Sequence, residues 1–131
     1  MSGTRMRLVA AAAILGMIGI LPAPALAELP ASESPVLMRA YYEYGIAEYC
    51  GQVSMPVHNG FVLLRFDQLA RDNLSPEADR FIRIEARKAV DLEFLNRGLG
   101  GQRNWCRTEG RAGVRRFVHY FRERKLIEES Q

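Results

Sequence analysis

Two glutamates stand where an amphipathic helix would place apolar side chains. On a helical wheel with Ala78 at the origin, Glu85 falls within the arc of Phe81, Ile82, Ala89 and Leu92, and on an earlier helix Glu48 projects between Leu37 and Tyr41. A carboxylate in such surroundings loses hydration, so it must be paired, held neutral by a raised pKa, or open to a cleft. Facing each other, Glu48 and Glu85 would serve as general acid and general base in hydrolysis of a sugar polymer. The plainer reading ties each to an arginine, and Arg103 and Arg107 are at hand.

A second set of residues suits binding. The run 97–110 reads as a recognition loop with Trp105 as its anchor and Arg103 and Arg107 as charged contacts. It reads equally as a glycine turn with Trp105 plugging the end of a bundle. Arg107, Arg111, Arg115 and Arg122 lie within about 80° of one another on a continuous helix. Such a strip suits an anionic partner: phospholipid head groups, a phosphate or an acidic protein surface. Internal pairing is the other option, because residues 28–96 carry a net −4 and residues 97–131 a net +5. Tyr41, Tyr42, Tyr44 and Tyr49 are four of the five tyrosines and spread over more than half of one helix, so some line a pocket or interface or else send their hydroxyls to the surface. Tyr41 and Tyr44 join Trp105, Arg103, Arg107, Arg111 and Arg115 as binding candidates.

Other chemistry lacks a carrier. His58 and His119 are the only histidines and sit in no ligand-spaced cluster, so no metal is expected. Haem attachment through Cys-x-x-Cys-His and phosphate-cradling glycine motifs are absent, and no cofactor is expected. No serine or cysteine has a base beside it in a recognisable pattern.

The elements that must position these residues begin with an address. Arg5 and Arg7, an apolar run over 8–21 and an Ala-x-Ala site ending at Ala27 have the layout of a secretory signal. The run falls short of the roughly 20 residues a spanning helix needs, so cleavage after Ala27 and no stable membrane span are expected. That leaves residues 28–131, 104 of the 131, as a single helical domain in the periplasm or outside the cell, and lowers the net charge from +3 to +1. So small an excess gives no reason to expect nucleic acid. In an oxidising compartment, Cys50 and Cys106 are expected to form a disulfide.

Ser34-Pro35 and Ser75-Pro76 are helix starts, with serine as N-cap and proline at the first helical position. Gly51 and Gly98 supply stops. The expected helices cover about 35–50, 54–72, 76–97 and 104–127, with 98–101 as a loop and a break near Gly110 and Gly113. Val114, Phe117, Val118 and Phe121 form the clearest apolar stripe, with Gly110 and Gly113 on or beside it, where another helix can approach. Short connections between such segments predict an all-α antiparallel bundle of about four helices, stapled by one disulfide.

Tyr49-Cys50-Gly51 near the end of a first helix, followed by Asn96-Arg97-Gly98, an aromatic residue and Cys106, resembles short exported bacterial all-helical proteins with two cysteines. The resemblance implies export, helices and a bridge, and transfers no activity. The function expected is that of a small periplasmic accessory or binding protein, non-catalytic, whose partner is an envelope protein or an anionic envelope component. A cell-wall hydrolase or modulator using Glu48 and Glu85 is one alternative, and an acid-induced or stress-induced holdase is another.

Overall fold

The computed structural model describes residues 29–127 and is all-α, with no strand among them. The expected leader and its cleavage point lie outside the described residues. Helix α1 spans Pro35–Tyr49, α2 Met55–Arg71, α3 Pro76–Trp105 and α4 Arg111–Glu123, with a π turn at Cys106–Gly110 between the last two. Ser34 and Ser75 act as the N-caps expected of them: their hydroxyls accept from the amides of Leu37 at 3.3 Å and Ala78 at 3.1 Å. Glu77 and Asp79 lie in the first turn of α3, at the positive end of its dipole.

The glycine run is where sequence and structure part. Only Gly98 leaves the helix, at φ 63° and ψ 179°, and helix resumes through Gly100 and Gly101 to Trp105. Across this one-residue break the side chain of Gln102 donates to the carbonyl of Phe94 at 3.3 Å, giving one orphan carbonyl a partner. The last helix therefore resumes almost at once and ends at Glu123, where Arg124 adopts a left-handed conformation.

Helix α1 lies at the centre and touches every other helix, whereas the consecutive helices α2 and α3 hardly meet. Its burial on both sides explains why no single apolar stripe marks it: Leu37, Met38, Tyr42 and Ile46 face one half of the core, and Ala40 faces the other. The first half adds Ile82, Ala86 and Val90 from α3, closed by Trp105; the second adds Val57, Phe61 and Leu64 from α2 and Phe117 and Tyr120 from α4. Each such aliphatic or aromatic side chain contributes about 1.5–3 kcal/mol on burial. Close approach between helices depends on absent side chains. A Cβ on Gly60 of α2 would collide with the Phe117 carbonyl, and one on Gly113 of α4 would lie 2.9 Å from Cβ of Glu43. Cys50 and Cys106 are joined as a disulfide with Cα atoms 5.5 Å apart, tying the end of α1 to the π turn.

Among the described residues no helix is long and apolar enough to cross a membrane.

Candidate functional site

The tyrosines are held by one recurring device, a phenol on a carboxylate whose charge an arginine balances. Tyr41 donates to Asp79 at 2.6 Å and accepts from Arg65 at 2.6 Å, and Arg65 reaches the other Asp79 oxygen at 2.6 Å, so three helices meet in one triad. Tyr42 donates to Glu109 at 3.3 Å, with Arg97 on the second oxygen at 3.2 Å and the Trp105 indole N–H also donating at 3.2 Å. Tyr49 pairs with Asp91 and Arg87, and Tyr120 with Asp67 and Arg124. Tyr44 differs, meeting His58 Nδ1 at 2.8 Å. Burial together with the Asp79 carboxylate pushes the Tyr41 phenol up to about 12, and burial raises those of Tyr42, Tyr44 and Tyr120. The hydrogen bond to Asp91 raises that of Tyr49. Each phenol stays neutral at physiological pH, and those of Tyr41, Tyr42, Tyr49 and Tyr120 act as structural donors.

Because α2 and α3 stand apart over α1, a groove of about 610 Å³ opens between them. Its floor is Tyr41, Tyr44 and Phe61, with the Tyr44 and Phe61 rings stacked at 4.1 Å and Tyr41 edge-on to Phe61 at 5.4 Å. Val62 and Ile84 line it from opposite helices, and Arg65, Arg83, Arg87 and Glu48 supply charge. The expected binding residues Tyr41 and Tyr44 thus share one site.

A second cleft of similar size lies between α1 and the π turn and contains Glu43 and Glu109. These carboxylates are taken. Glu43, with a side chain only 6% exposed, is gripped by Arg116 through both oxygens and by Arg39, and Glu109 accepts from Tyr42, Trp105 and Arg97. Neither offers an uncommitted oxygen for proton transfer.

Glu48 and Glu85 are not the buried carboxylates. Glu48 is exposed and bound to Arg87 at 3.1 Å, while Glu85 is partly exposed and bound to Lys88 at 2.8 Å, outside the groove that Glu48 lines. Each has a basic partner, but not Arg103 or Arg107. Trp105 is fully buried, and so cannot anchor a partner: its ring fills the α1–α3 core beside the disulfide and carries Arg97 over its face at 5.2 Å. The buried acids Glu43 and Asp79 escape sequence reasoning, although Arg39 four residues before Glu43 is a usable sign.

The expected arginine strip, Arg107, Arg111, Arg115 and Arg122, is exposed, and Arg103 precedes it by four residues. Arg103, Arg107, Arg111 and Arg115 are exposed, and no carboxylate among the described residues pairs with them. A row spaced by four residues drifts by about 40° per step on an α-helix. The intervening π turn, Cys106–Gly110, takes in an extra residue and offsets much of that drift, so the four positions fall on one side of the helical backbone. No group of three potential metal ligands occurs among the described residues. Comparison with family models, curated proteins and solved structures returned no match to this chain.

Proposed function

We propose that the chain is a small exported binding protein, non-catalytic, that rests on an anionic envelope lipid surface through Arg103, Arg107, Arg111 and Arg115. One observation carries this reading: Arg39, Arg65, Arg87, Arg97, Arg116 and Arg124 each hold a carboxylate, whereas four consecutive arginines spaced by four are exposed with none among the described residues. Four exposed cations carried at a spacing of four along a stapled element suit phosphate-bearing head groups. Export is supported by the signal-like leader and by the disulfide, and the resemblance to short exported two-cysteine proteins points the same way. The hydrolase alternative loses its footing, since Glu48 and Glu85 share no cleft.

Vesicle co-sedimentation tests the reading. Each basic residue near an anionic surface contributes about 1 kcal/mol, so replacing all four arginines with glutamine is expected to weaken binding to phosphatidylglycerol vesicles by about a hundredfold or more. The Arg71→Gln, Arg80→Gln variant, changed on α2 and α3, is expected to keep most of its affinity, and raised salt is expected to release the wild type. Absence of binding to phosphatidylglycerol vesicles at low salt, or equal binding to phosphatidylcholine, overturns it.

A further inference from the structure

The groove between α2 and α3 has the properties of a small-molecule site, and it is independent of the arginine row. Its volume of about 610 Å³ lies within the usual range for ligand pockets, roughly 300–1,000 Å³. Consecutive antiparallel helices ordinarily pack on each other; these two instead straddle a rigid aromatic floor contributed largely by α1.

Three features define the occupant. The floor offers ring faces and few spare polar atoms, because the Tyr41 hydroxyl is committed to Asp79 and Arg65 and the Tyr44 hydroxyl to His58. An apolar body fits such a floor, and a sugar, which needs a hydrogen-bond partner for each hydroxyl, does not. The rims are also apolar. Val62 and Ile84 are 43% and 41% exposed, and by helical spacing Phe66 follows Val62 and Phe81 precedes Ile84 on the same faces, at 68% and 58% exposed. Phe66 and Phe81 lie outside the groove's lining, so Val62 and Ile84 are its exposed apolar rims.

Charge supplies the third feature. Of the three guanidiniums, Arg65 is held by Asp79 and Arg87 by Glu48 and Asp91, whereas Arg83 has no carboxylate partner among the described residues. One uncommitted cation near the Glu48 carboxylate suits a single negative charge and disfavours a polyanion. We infer that the α2–α3 groove binds a monoanionic amphiphile of the medium-chain carboxylate class, with its chain over Tyr41, Tyr44 and Phe61 and its head group on Arg83.

The test titrates dodecanoate below its micelle concentration into the full mature chain by calorimetry, and follows backbone amide shifts by NMR. Saturable binding of one dodecanoate is expected, with shifts on α2 and α3 facing the groove. Replacing the anion by dodecanol, or Arg83 by glutamine, is expected to weaken it about tenfold. Val62→Trp, at an exposed position, is expected to block the groove, with folding checked by circular dichroism, while Arg111→Gln on the row is expected to leave binding unchanged. No saturable dodecanoate binding, equal affinity for dodecanol, an unaffected Arg83→Gln variant, or shifts confined to α4 would each overturn the inference.

Discussion

Helix α1 separates two halves of core that are secured by different means. On the α3 side, the Cys50–Cys106 bond and a fully buried Trp105 close a mainly aliphatic cluster, and Glu109 gathers Tyr42, Trp105 and Arg97 around it. On the α2–α4 side no covalent bond joins the helices. Gly60 lets the backbone of α4 approach closely, the Phe61 and Phe117 rings meet edge-on at 5.7 Å, and Arg124 and Tyr120 hold Asp67. The first half should respond to reductant; the second should respond to a single methyl group and to acid. Both exposed surfaces with a proposed role sit on these differences. The row of arginines straddles the stapled π turn, which fixes its spacing, and the groove opens where α2 follows α4 and leaves α3 behind.

The largest expected effect breaks the stapled half. Removing the bridge with Cys50→Ala and Cys106→Ala frees a loop with a sequence separation of 56, which corresponds to about 4 kcal/mol of chain entropy. Urea denaturation of the double variant is expected to show a loss of that order, and a loss below about 1 kcal/mol would mean that Trp105 packing alone secures this side. Next in size is Gly60→Ala. Its Cβ would meet the backbone of Phe117, which cannot turn away as a side chain can, and overpacking of this kind costs about 3 kcal/mol. Amide exchange should then speed up in α2 and α4 while the α1–α3 half keeps its protection. Uniform loss of protection would show that the halves unfold as one.

The parts legible in the sequence are those fixed locally or by a forced choice. Ser34-Pro35 and Ser75-Pro76 announce helices because an N-cap and a first-turn proline act within four residues. Two cysteines in one chain permit only one internal pairing. Gly113 reads as a contact because the stripe of α4 is one-sided. The wheel fails on α1 for a physical reason: a helix buried on both sides has no single apolar arc, so it cannot show that Glu43 is covered by α4 and Glu48 is not. Glycines 98, 100 and 101 look alike in sequence, yet only one had to take a positive φ. The groove is invisible for another reason. It is a gap between neighbours in the chain, produced by what packs beneath them, and the tyrosine–carboxylate bonds of the triads join residues 38 and more apart.

The smallest expected effect sharpens the comparison by acid. Arg124 and the Tyr120 hydroxyl pull the Asp67 carboxyl down from its ordinary 3.8 to about 2. A carboxyl whose folded pKa lies below its unfolded value adds stability that is complete above about pH 4 and lost as pH falls through about 2. The Arg124 side chain is 53% exposed, so solvent screens the pair and the contribution should be small. Denaturation followed from pH 5 to pH 2 is expected to show a shallower decline for Asp67→Asn than for the wild type, with the two curves converging at the acid end. The difference should persist in the variant lacking the disulfide, because Asp67 joins α2 to α4 and touches neither cysteine. If removing the bridge abolished it, the two halves would be coupled through α1, and acid sensitivity would belong to the whole bundle instead of one side of it.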